Sequence, residues 1–367
     1  MVYNCSMKHY DVFISGAGPA GSIAAYLLEK SGVSVGIADR RFFDRPNPAF
    51  VKSCGGLLAP DAQKALARLS FSLPKEILAS PQIFAVKTLD LETGLSRLYQ
   101  RCYLNIDRAR FDRYLFGLSQ NTDKYAGRVV RDIKHLPDGY KILLSDGTTL
   151  HSRLLIGADG ACSVTAKRLG ISRNARSYVC VQQLFRACED QMLYSAVFDR
   201  RLTDYSGWTF VKDGIAYVGG AFLPDGSANE KLDTMVERLS GFGYRFGRKL
   251  SREGAMLLRP RFMPSAAVSS DCSCALIGEA AGLVSPSSAE GISFAINSAA
   301  AAYESIARKG DFSCYAAATR SLRMRLALKQ LKLPFMYSPI LRSAVLKSGI
   351  TAIHPFCTEA QAPSQKH

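Results

Sequence analysis

The sequence has 367 residues, of which 47% are hydrophobic and 21% are charged. This length suits two domains or one large one, with enough apolar residues to form a substantial core. No uncharged apolar run is as long as a membrane span, so the composition predicts no transmembrane segment.

The net charge of +16 is large and predicts an anionic partner, such as a phosphorylated substrate or acidic lipid headgroups. A basic surface that is simply solvated is the alternative. The sequence has no nucleic-acid-binding motif, and we expect no nucleic-acid partner. It carries no signal for a particular oligomeric state.

The N-terminus and the cysteines indicate the cellular compartment that we expect for the protein. The N-terminus lacks a signal-peptide pattern, and the ten cysteines are scattered along the chain. We therefore expect a cytoplasmic protein with free thiols, with peripheral contact at the inner face of the membrane as a further expectation. Cys272 and Cys274 are close in sequence but lack further ligands nearby, so we expect buried thiols and no metal site.

The first forty residues predict a strand, a helix and a second strand. Tyr10–Ile14 forms a short apolar run, and Pro19–Ser31 has the pattern of a helix that Gly32 ends. Val33–Ala38 is a second apolar run that predicts the next strand. The order strand, helix, strand is that of a nucleotide-binding βαβ unit.

Glycines occur in this unit where a dinucleotide needs them. Gly16 permits the tight turn, Gly18 lets a pyrophosphate approach the backbone, and Gly21 lets the helix pack on the sheet. Ala20 lies in the same turn, and Asp39 ends the second strand, where a carboxylate accepts ribose hydroxyl bonds. The motif predicts dinucleotide binding but does not decide between FAD and NAD.

The middle of the chain predicts mostly extended structure. Residues 82–104 form two extended segments, and Asp107 is a predicted N-cap of a helix. Residues 127–157 predict a β meander, and residues 178–222 predict further strands. Residues 227–250 are expected to be helical and then loop-like.

The last third predicts a strand at Ala275–Ile277 and an alanine-rich helix from Gly291 to Arg308. Residues 313–350 are basic and predicted to be helical, with breaks at Pro334 and Pro339. The fold class is therefore α/β: a discontinuous Rossmann-like nucleotide-binding domain, an inserted β-sheet substrate domain, and C-terminal helices. The predicted ranges are 7–80, 105–177 and 263–310 for the first domain, 81–104 and 178–262 for the second, and 311–367 for the C-terminal region.

Three motifs in this order resemble a known enzyme family. They are the N-terminal glycine motif with Asp39, the segment Gly157–Gly160, and the segment Gly278–Gly282 ahead of a helix. The chain resembles the FAD-dependent family of p-hydroxybenzoate hydroxylase and the geranylgeranyl reductases, and residues 52–61 are most similar to the reductase branch. The resemblance implies that the dinucleotide is FAD.

The resemblance also implies contacts with the FAD phosphates and ribose. Arg108 matches an arginine that contacts phosphate or ribose, and Glu279 stands where the family usually has an aspartate bound to hydroxyls near the pyrophosphate. An exposed first-turn arginine and a solvated turn glutamate are the alternatives. Arg40 is expected along the adenine or else exposed. The remaining implied contacts of this kind are Asp159, Gly278 and Gly282.

Residues 286–291 match a family loop that lies beside the flavin ring. The resemblance makes Ser288, Glu290 and Gly291 flavin contacts, and the following helix N-terminus would stabilise negative charge on the reduced ring. Ala289 replaces a glycine that is common in the family. As an alternative, the Glu290 carboxylate caps the helix.

The segment Cys54–Gly56 is expected near the flavin and the substrate cavity. In the reductases a cysteine at this place is implicated in handling protons or substrate, so Cys54 is the candidate proton donor. A small residue packed beneath the ring with Gly55 and Gly56 is an equal alternative. Trp208 and Phe210 match a family motif that lines a lipid cavity, although an ordinary sheet core would have the same residues.

The leading functional hypothesis is a flavin oxidoreductase that reduces carbon–carbon double bonds of a small apolar, isoprenoid or lipid-like substrate. The sequence has no second Gly-x-Gly-x-x-Gly motif. The electron donor is therefore either NAD(P)H that binds transiently or a reduced carrier protein. An aromatic-type monooxygenase and a non-catalytic flavoprotein that binds a lipid are the alternatives.

Overall fold

The computed structural model describes residues 7–44, 53–189 and 192–353. Its strands are β1 (Lys8–Ser15), β2 (Val35–Asp39), β3 (Leu57–Leu58), β4 (Ile83–Asp90), β5 (Ser96–Asn105), β6 (Asp123–Ala126), β7 (Val130–Leu136), β8 (Gly139–Leu144), β9 (Thr149–Gly157), β10 (Ala175–Ala187), β11 (Leu193–Phe198), β12 (Gly207–Lys212), β13 (Ile215–Phe222), β14 (Phe246–Pro260), β15 (Cys274–Leu276) and β16 (Ala352–Ile353). Its helices are α1 (Pro19–Lys30), α2 (Pro60–Arg68), α3 (Arg108–Gly117), α4 (Val164–Arg168), α5 (Ala228–Gly241), α6 (Ile292–Lys309), α7 (Tyr315–Ala318), α8 (Arg320–Gln330), α9 (Leu333–Tyr337) and α10 (Pro339–Ser348).

The first sheet has the strand order β6-β2-β1-β9-β8-β7, and β15 also pairs with β9. Strand β1 runs parallel to β2 and β9, and β15 runs parallel to β9. Helix α1 connects β1 to β2, and its apolar face packs with α3 and α6 in the largest core of the described chain. This arrangement confirms the predicted Rossmann-like unit.

The second sheet has the strand order β14-β10-β13-β12-β11-β4-β5-β16. Its pairs are antiparallel except for β11 and β4, which run parallel. Helix α5 covers one face through Leu232, Met235 and Leu239, all fully buried. The chain is thus the predicted α/β protein, with a second sheet inserted between the strands of the first.

The domain boundaries stay a prediction, but the strands of each sheet can be located along the chain. Every strand of the first sheet lies within residues 7–80, 105–177 or 263–310. The short strands β3 and β16 come from outside the predicted second domain, yet both pair with β5. Residues 354–367 of the predicted C-terminal region lie outside the described residues.

One local prediction was wrong. Residues 227–250 were expected to be helical and then loop-like, but the last five of them begin strand β14, which pairs with β10 along its length. The segment contains Arg248 and Lys249, which are exposed on this edge strand, so its sequence lacks the alternation of a half-buried strand. The strand forms because its backbone groups hydrogen-bond to β10, which the local sequence pattern does not indicate.

The C-terminal helices are held by a buried ion pair. The Arg342 guanidinium, only 3% exposed, donates through Nε to Asp90 Oδ2 at 2.9 Å and through Nη2 to Glu92 Oε1 at 3.1 Å. Burial alone would raise the pKa of Asp90, but the hydrogen bond from Arg342 lowers it below its usual value. Helix α10 is therefore fixed to the end of β4.

No helix of the described ranges is long and apolar enough to cross a membrane.

Candidate cofactor and substrate site

The N-terminal glycine turn is tightly packed at Gly16 and Gly21 and open at Gly18. Gly16 has a φ of +100°, and a Cβ there would lie 2.5 Å from the carbonyl oxygen of Ala158. A Cβ on Gly21 would lie 1.9 Å from the carbonyl oxygen of Gly16, so helix α1 approaches the turn as closely as backbones allow. A Cβ on Gly18 would meet no atom of the described residues within 4 Å. The open side at Gly18 is where a phosphate can approach the start of α1.

The carboxylate of Asp39 is held by protein donors. Its Oδ2 accepts from the amide of Ala17 at 2.7 Å and from Arg41 Nη2 at 3.1 Å. Its Oδ1 accepts from the amide and the Nε of Arg41, both at 2.9 Å. These bonds use about four acceptor positions, which is the capacity of a carboxylate. A ribose hydroxyl can reach Asp39 only by displacing Arg41, so the predicted ribose contact remains a prediction.

Arg41 links Asp39 to a second, deeper ion pair. Its Nη1 donates to Asp112 Oδ2 at 2.5 Å, and Arg108 Nε donates to Asp112 Oδ1 at 2.8 Å. Asp112 is fully buried, which would raise its pKa, but Arg108 and Arg41 together hold that pKa below its usual value. Arg108 is thus a buried member of an ion network and not an exposed first-turn arginine. Arg40, by contrast, is exposed, and its adenine contact remains a prediction.

Asp159 fastens the second motif to the first. Its carboxylate accepts from Ser163 Oγ at 2.5 Å, from the amide and hydroxyl of Thr165, and from Ser15 Oγ at 3.4 Å. These bonds tie the start of α4 to the end of β1. The side chain serves to hold the turn against Gly16, and a direct cofactor contact of Asp159 remains a prediction.

The third motif lies against the first helix. A Cβ on Gly278 would be 3.0 Å from the Cβ of Ala20, so these two predicted contacts are neighbours. Gly278 and Gly282 both have a positive φ, +57° and +72°, as a tight turn requires. Between them, Glu279 is partly buried, and its Oε1 accepts weakly from the amide of Leu258 at 3.4 Å.

The segment at residues 54–56 contacts a buried lysine, Lys212, which the sequence analysis did not identify. Lys212 Nζ, on β12, donates to the carbonyl oxygens of Gly55 and Ile106, both at 2.6 Å. Burial lowers the pKa of Lys212 to about 8, while the neighbouring Cys54 opposes that shift. Cys54 also interacts with the guanidinium of Arg108. The thiol therefore interacts with two cations, Arg108 and Lys212. Lys52, at the start of this motif, is outside the described residues.

Aromatic rings form a wall beside this segment. A Cβ on Gly55 would lie 3.1 Å from the Phe210 ring, which stacks on Tyr217 with centroids 5.1 Å apart. Tyr194 stacks on the other side of Phe210 at 6.1 Å. Trp208 packs in the same cluster, and its buried Nε1 has no hydrogen-bond acceptor among the described residues. We call the rings of Tyr103, Tyr194, Trp208, Phe210 and Tyr217 the aromatic wall.

Glu290 connects the loop at residues 285–291 to this wall. Its Oε1 accepts from Tyr103 Oη at 2.7 Å and from Arg101 Nη2 at 2.8 Å. Burial, followed by the charge of Glu290, raises the pKa of Tyr103, which stays a neutral donor. The alternative in which Glu290 caps α6 was wrong: Gly291 is the N-cap, with no side-chain cap bond. Ser288 Oγ bonds within the loop, to Ser285 Oγ at 2.9 Å.

The same loop is held from the other side by Tyr205. Tyr205 Oη donates to the Ser285 carbonyl at 2.8 Å and accepts from the amide of Ala289 at 3.0 Å. Arg259 lies 4.2 Å from the Tyr205 ring and donates to the carbonyl of Pro286 at 2.9 Å. Ala289 has a φ of +56°, the left-handed conformation that explains why glycine suits this position. Hydrogen bonds from Tyr205 and Arg259 therefore hold this loop within the protein.

One of the residues that sequence reasoning missed carried a signal. Lys212 follows Trp208 and Phe210 at intervals of two along one strand, so a half-buried strand places all three on one face. Arg41 is adjacent to the Asp39–Arg40 pair, but nothing local says which arginine turns inward. Tyr103 and Tyr205 lie far from the motifs in sequence and carried no such signal.

These residues fit a dinucleotide with a redox-active ring. The open glycine turn, the helix N-terminus of α1 and the guanidiniums of Arg41 and Arg108 suit a pyrophosphate and ribose. The loop at 285–291 contacts the aromatic wall through Glu290 and Tyr103, and the segment at 54–56 contacts it through Gly55 and Phe210. The orphaned donor of Trp208 suits an acceptor atom on a ligand.

Comparison with solved structures defines the class. The fold is similar to that of a geranylgeranyl bacteriochlorophyll reductase-like protein from Thermoplasma acidophilum, with a TM-score of 0.77, 18% identity, and coverage of 93% of this chain and 91% of that one. It is also similar to p-nitrophenol 4-monooxygenase PnpA from Pseudomonas putida, with a TM-score of 0.70, 17% identity and 93% coverage of both chains. The fold is that of the FAD-dependent oxidoreductases and monooxygenases.

Sequence comparison gives the family. The chain is 37% identical over 354 residues to Protein CbrA of Escherichia coli, which covers 95% of each chain. No family model matches the chain. The chain belongs to the CbrA family.

Proposed function

We propose that this protein is an FAD-dependent oxidoreductase that reduces carbon–carbon double bonds of an apolar, isoprenoid or lipid-like substrate. The observation that supports this most directly is the aromatic wall, which adjoins the segment carrying Cys54. Rings of this kind bind an apolar chain through buried area and contribute few polar contacts. A thiol beside them can deliver a proton.

The reduction needs a hydride on one alkene carbon and a proton on the other. Bound FAD would supply the hydride, after accepting two electrons from NAD(P)H or a reduced carrier protein. Cys54 Sγ would give up the proton, and Lys212 Nζ, which interacts with Cys54, would return one to the sulfur. The loop at 285–291, which Tyr205 and Arg259 hold in place, would lie beside the flavin.

An aromatic-type monooxygenase is the second candidate. The flat stack of Tyr194, Phe210 and Tyr217 also suits a planar aromatic substrate. Its reaction would consume oxygen and add one oxygen atom to the product.

Mass spectrometry tests the proposal. Lipid extract is incubated with the purified, FAD-loaded protein reduced by dithionite, and the products are compared with those of unreduced protein. We expect a polyprenyl species to gain two hydrogen atoms. Gain of one oxygen atom in the presence of air would support the monooxygenase. An unchanged extract would contradict catalysis and favour a flavoprotein that only binds a lipid.

Replacing Cys54 by alanine should abolish turnover and leave the yellow cofactor bound. The thiol is the only proton donor we assign beside the wall, whereas alanine fits the space next to Gly55. Flavin absorbance and product formation are measured together, with Cys102→Ala, an exposed cysteine on β5, as the control. Unchanged turnover in Cys54→Ala would show that the thiol only packs beneath the ring.

A further inference from the structure

The C-terminal helices carry an unusual distribution of charge. Between Arg320 and Ile353 there are seven lysines and arginines and no aspartate or glutamate. Three of these cations have structural partners: Arg342 with Asp90, Arg323 with a carbonyl of α7, and Lys329 with Asp61. The four others are Arg320, Arg325, Lys332 and Lys347, which form no ion pair within the described ranges.

The same helices expose large apolar side chains. Met324, Leu328, Leu331 and Phe335 follow one another at intervals of four, three and four, so they share one side of α8 and its continuation into α9. Ile340, at the start of α10, is 82% exposed. The further exposed apolar residues of this region are Leu341, Val345, Ile350 and Ile353.

A neighbouring segment extends this surface. Gln330 donates to the carbonyl oxygens of Pro260 and Arg261, which brings the end of β14 against the end of α8. The next residue, Phe262, is 74% exposed. We call the exposed apolar and basic residues of α8, α9 and α10 the basic apolar face.

We infer that the basic apolar face docks on a bilayer that contains anionic phospholipid. Apolar side chains surrounded by cations, with no acid among them, match the boundary between acyl chains and negative headgroups. A soluble acidic protein or nucleic acid would attract the cations, but it would not account for the exposed isoleucines and leucines. The match of charge and apolarity therefore favours a membrane surface.

The face also adjoins the candidate site. Tyr337, in α9, donates from Oη to the carbonyl of Ser287 at 2.9 Å, and its ring packs with that of Tyr205. Docking would place the loop at residues 285–291 close to the lipid surface. The inference about binding rests on the charge and exposure alone and does not depend on the proposed reaction.

Vesicle flotation with the full, FAD-loaded chain tests this inference. The protein is mixed with phosphatidylcholine vesicles, or with vesicles that also contain phosphatidylglycerol, and the floating fraction is measured. We expect binding to the anionic vesicles only, lost on adding high salt. The double variant Phe335→Ser, Ile340→Ser should weaken this binding by about tenfold or more. Arg325→Gln, Lys332→Gln should weaken it as well.

Matched variants elsewhere separate this face from general stickiness. Phe84→Ser removes an equally exposed ring on β4, and Lys134→Gln, Lys141→Gln removes two exposed cations on β7 and β8. Neither should change flotation, and flavin absorbance should be normal in all variants. Binding of DNA or heparin without binding of anionic vesicles would overturn the inference. Equal losses in the control variants would overturn it too.

Discussion

Replacing Gly18 by alanine is expected to weaken FAD binding by about tenfold or more while the protein stays folded. A Cβ at this position meets no described atom and needs no unusual backbone angle, so the chain itself tolerates it. The methyl group would instead stand where a phosphate approaches the start of α1. Tenfold corresponds to about 1.4 kcal/mol. Titration of the apoprotein with FAD, followed by flavin fluorescence, measures the change.

Two other glycines give the contrast that this prediction needs. Gly117→Ala, also in open space and at the end of α3, should leave FAD affinity unchanged and should not lower the melting temperature. Gly21→Ala should lower the melting temperature, because its Cβ would collide with the Gly16 carbonyl oxygen at 1.9 Å. Equal FAD affinity in Gly18→Ala and the wild type would mean that the glycine turn does not hold the pyrophosphate.

Turnover should fall as the pH rises through about 8, and replacing Lys212 by methionine should remove this step. Below that pH the Lys212 ammonium is charged and donates to the carbonyls of Gly55 and Ile106 beside Cys54. Above it, the amine loses a proton and the charge that favours anionic sulfur. We expect Lys212→Met to lose at least about tenfold in turnover at pH 7, about 1.4 kcal/mol of barrier.

The stability of the fold should change in the opposite direction over the same range. The pKa of Lys212 is about 8 in the folded chain and ordinarily 10.5, so the unfolded state binds more protons between these values. The contribution of Lys212 to the free energy of unfolding therefore increases as the pH rises from 8 to 10.5. Loss of activity above pH 8 is then not caused by unfolding through this group.

A pH–rate profile tests the predicted fall in turnover above pH 8, and denaturant unfolding at several pH values tests the predicted rise in the free energy of unfolding. Lys141→Met, at an exposed lysine on β8, is the control and should resemble the wild type in both. If turnover in Lys212→Met still falls above about pH 8, that fall reflects the titration of another group. Lys212 would then have no part in proton delivery.

Local patterns predicted several elements well because their causes are local. Asp107 caps α3 by accepting from the amides of Ala109 and Arg110, as its position before the helix indicated. Gly310 ends α6 in the left-handed conformation. The wrong prediction at residues 246–250 has a distant cause, since only pairing with β10 makes that polar segment a strand.

The sequence by itself determined the glycine turn and the order of its strands and helix. Gly16, Gly18 and Gly21 have no side chains, so the backbone of the turn can pack closely against its surroundings. This effect depends on residues that are close together in the sequence. The tertiary structure decided which arginine reaches Asp39 and that Lys212 lies beside Cys54. The second of these contacts joins a strand to a loop far away in the chain, and it depends on how the two sheets meet.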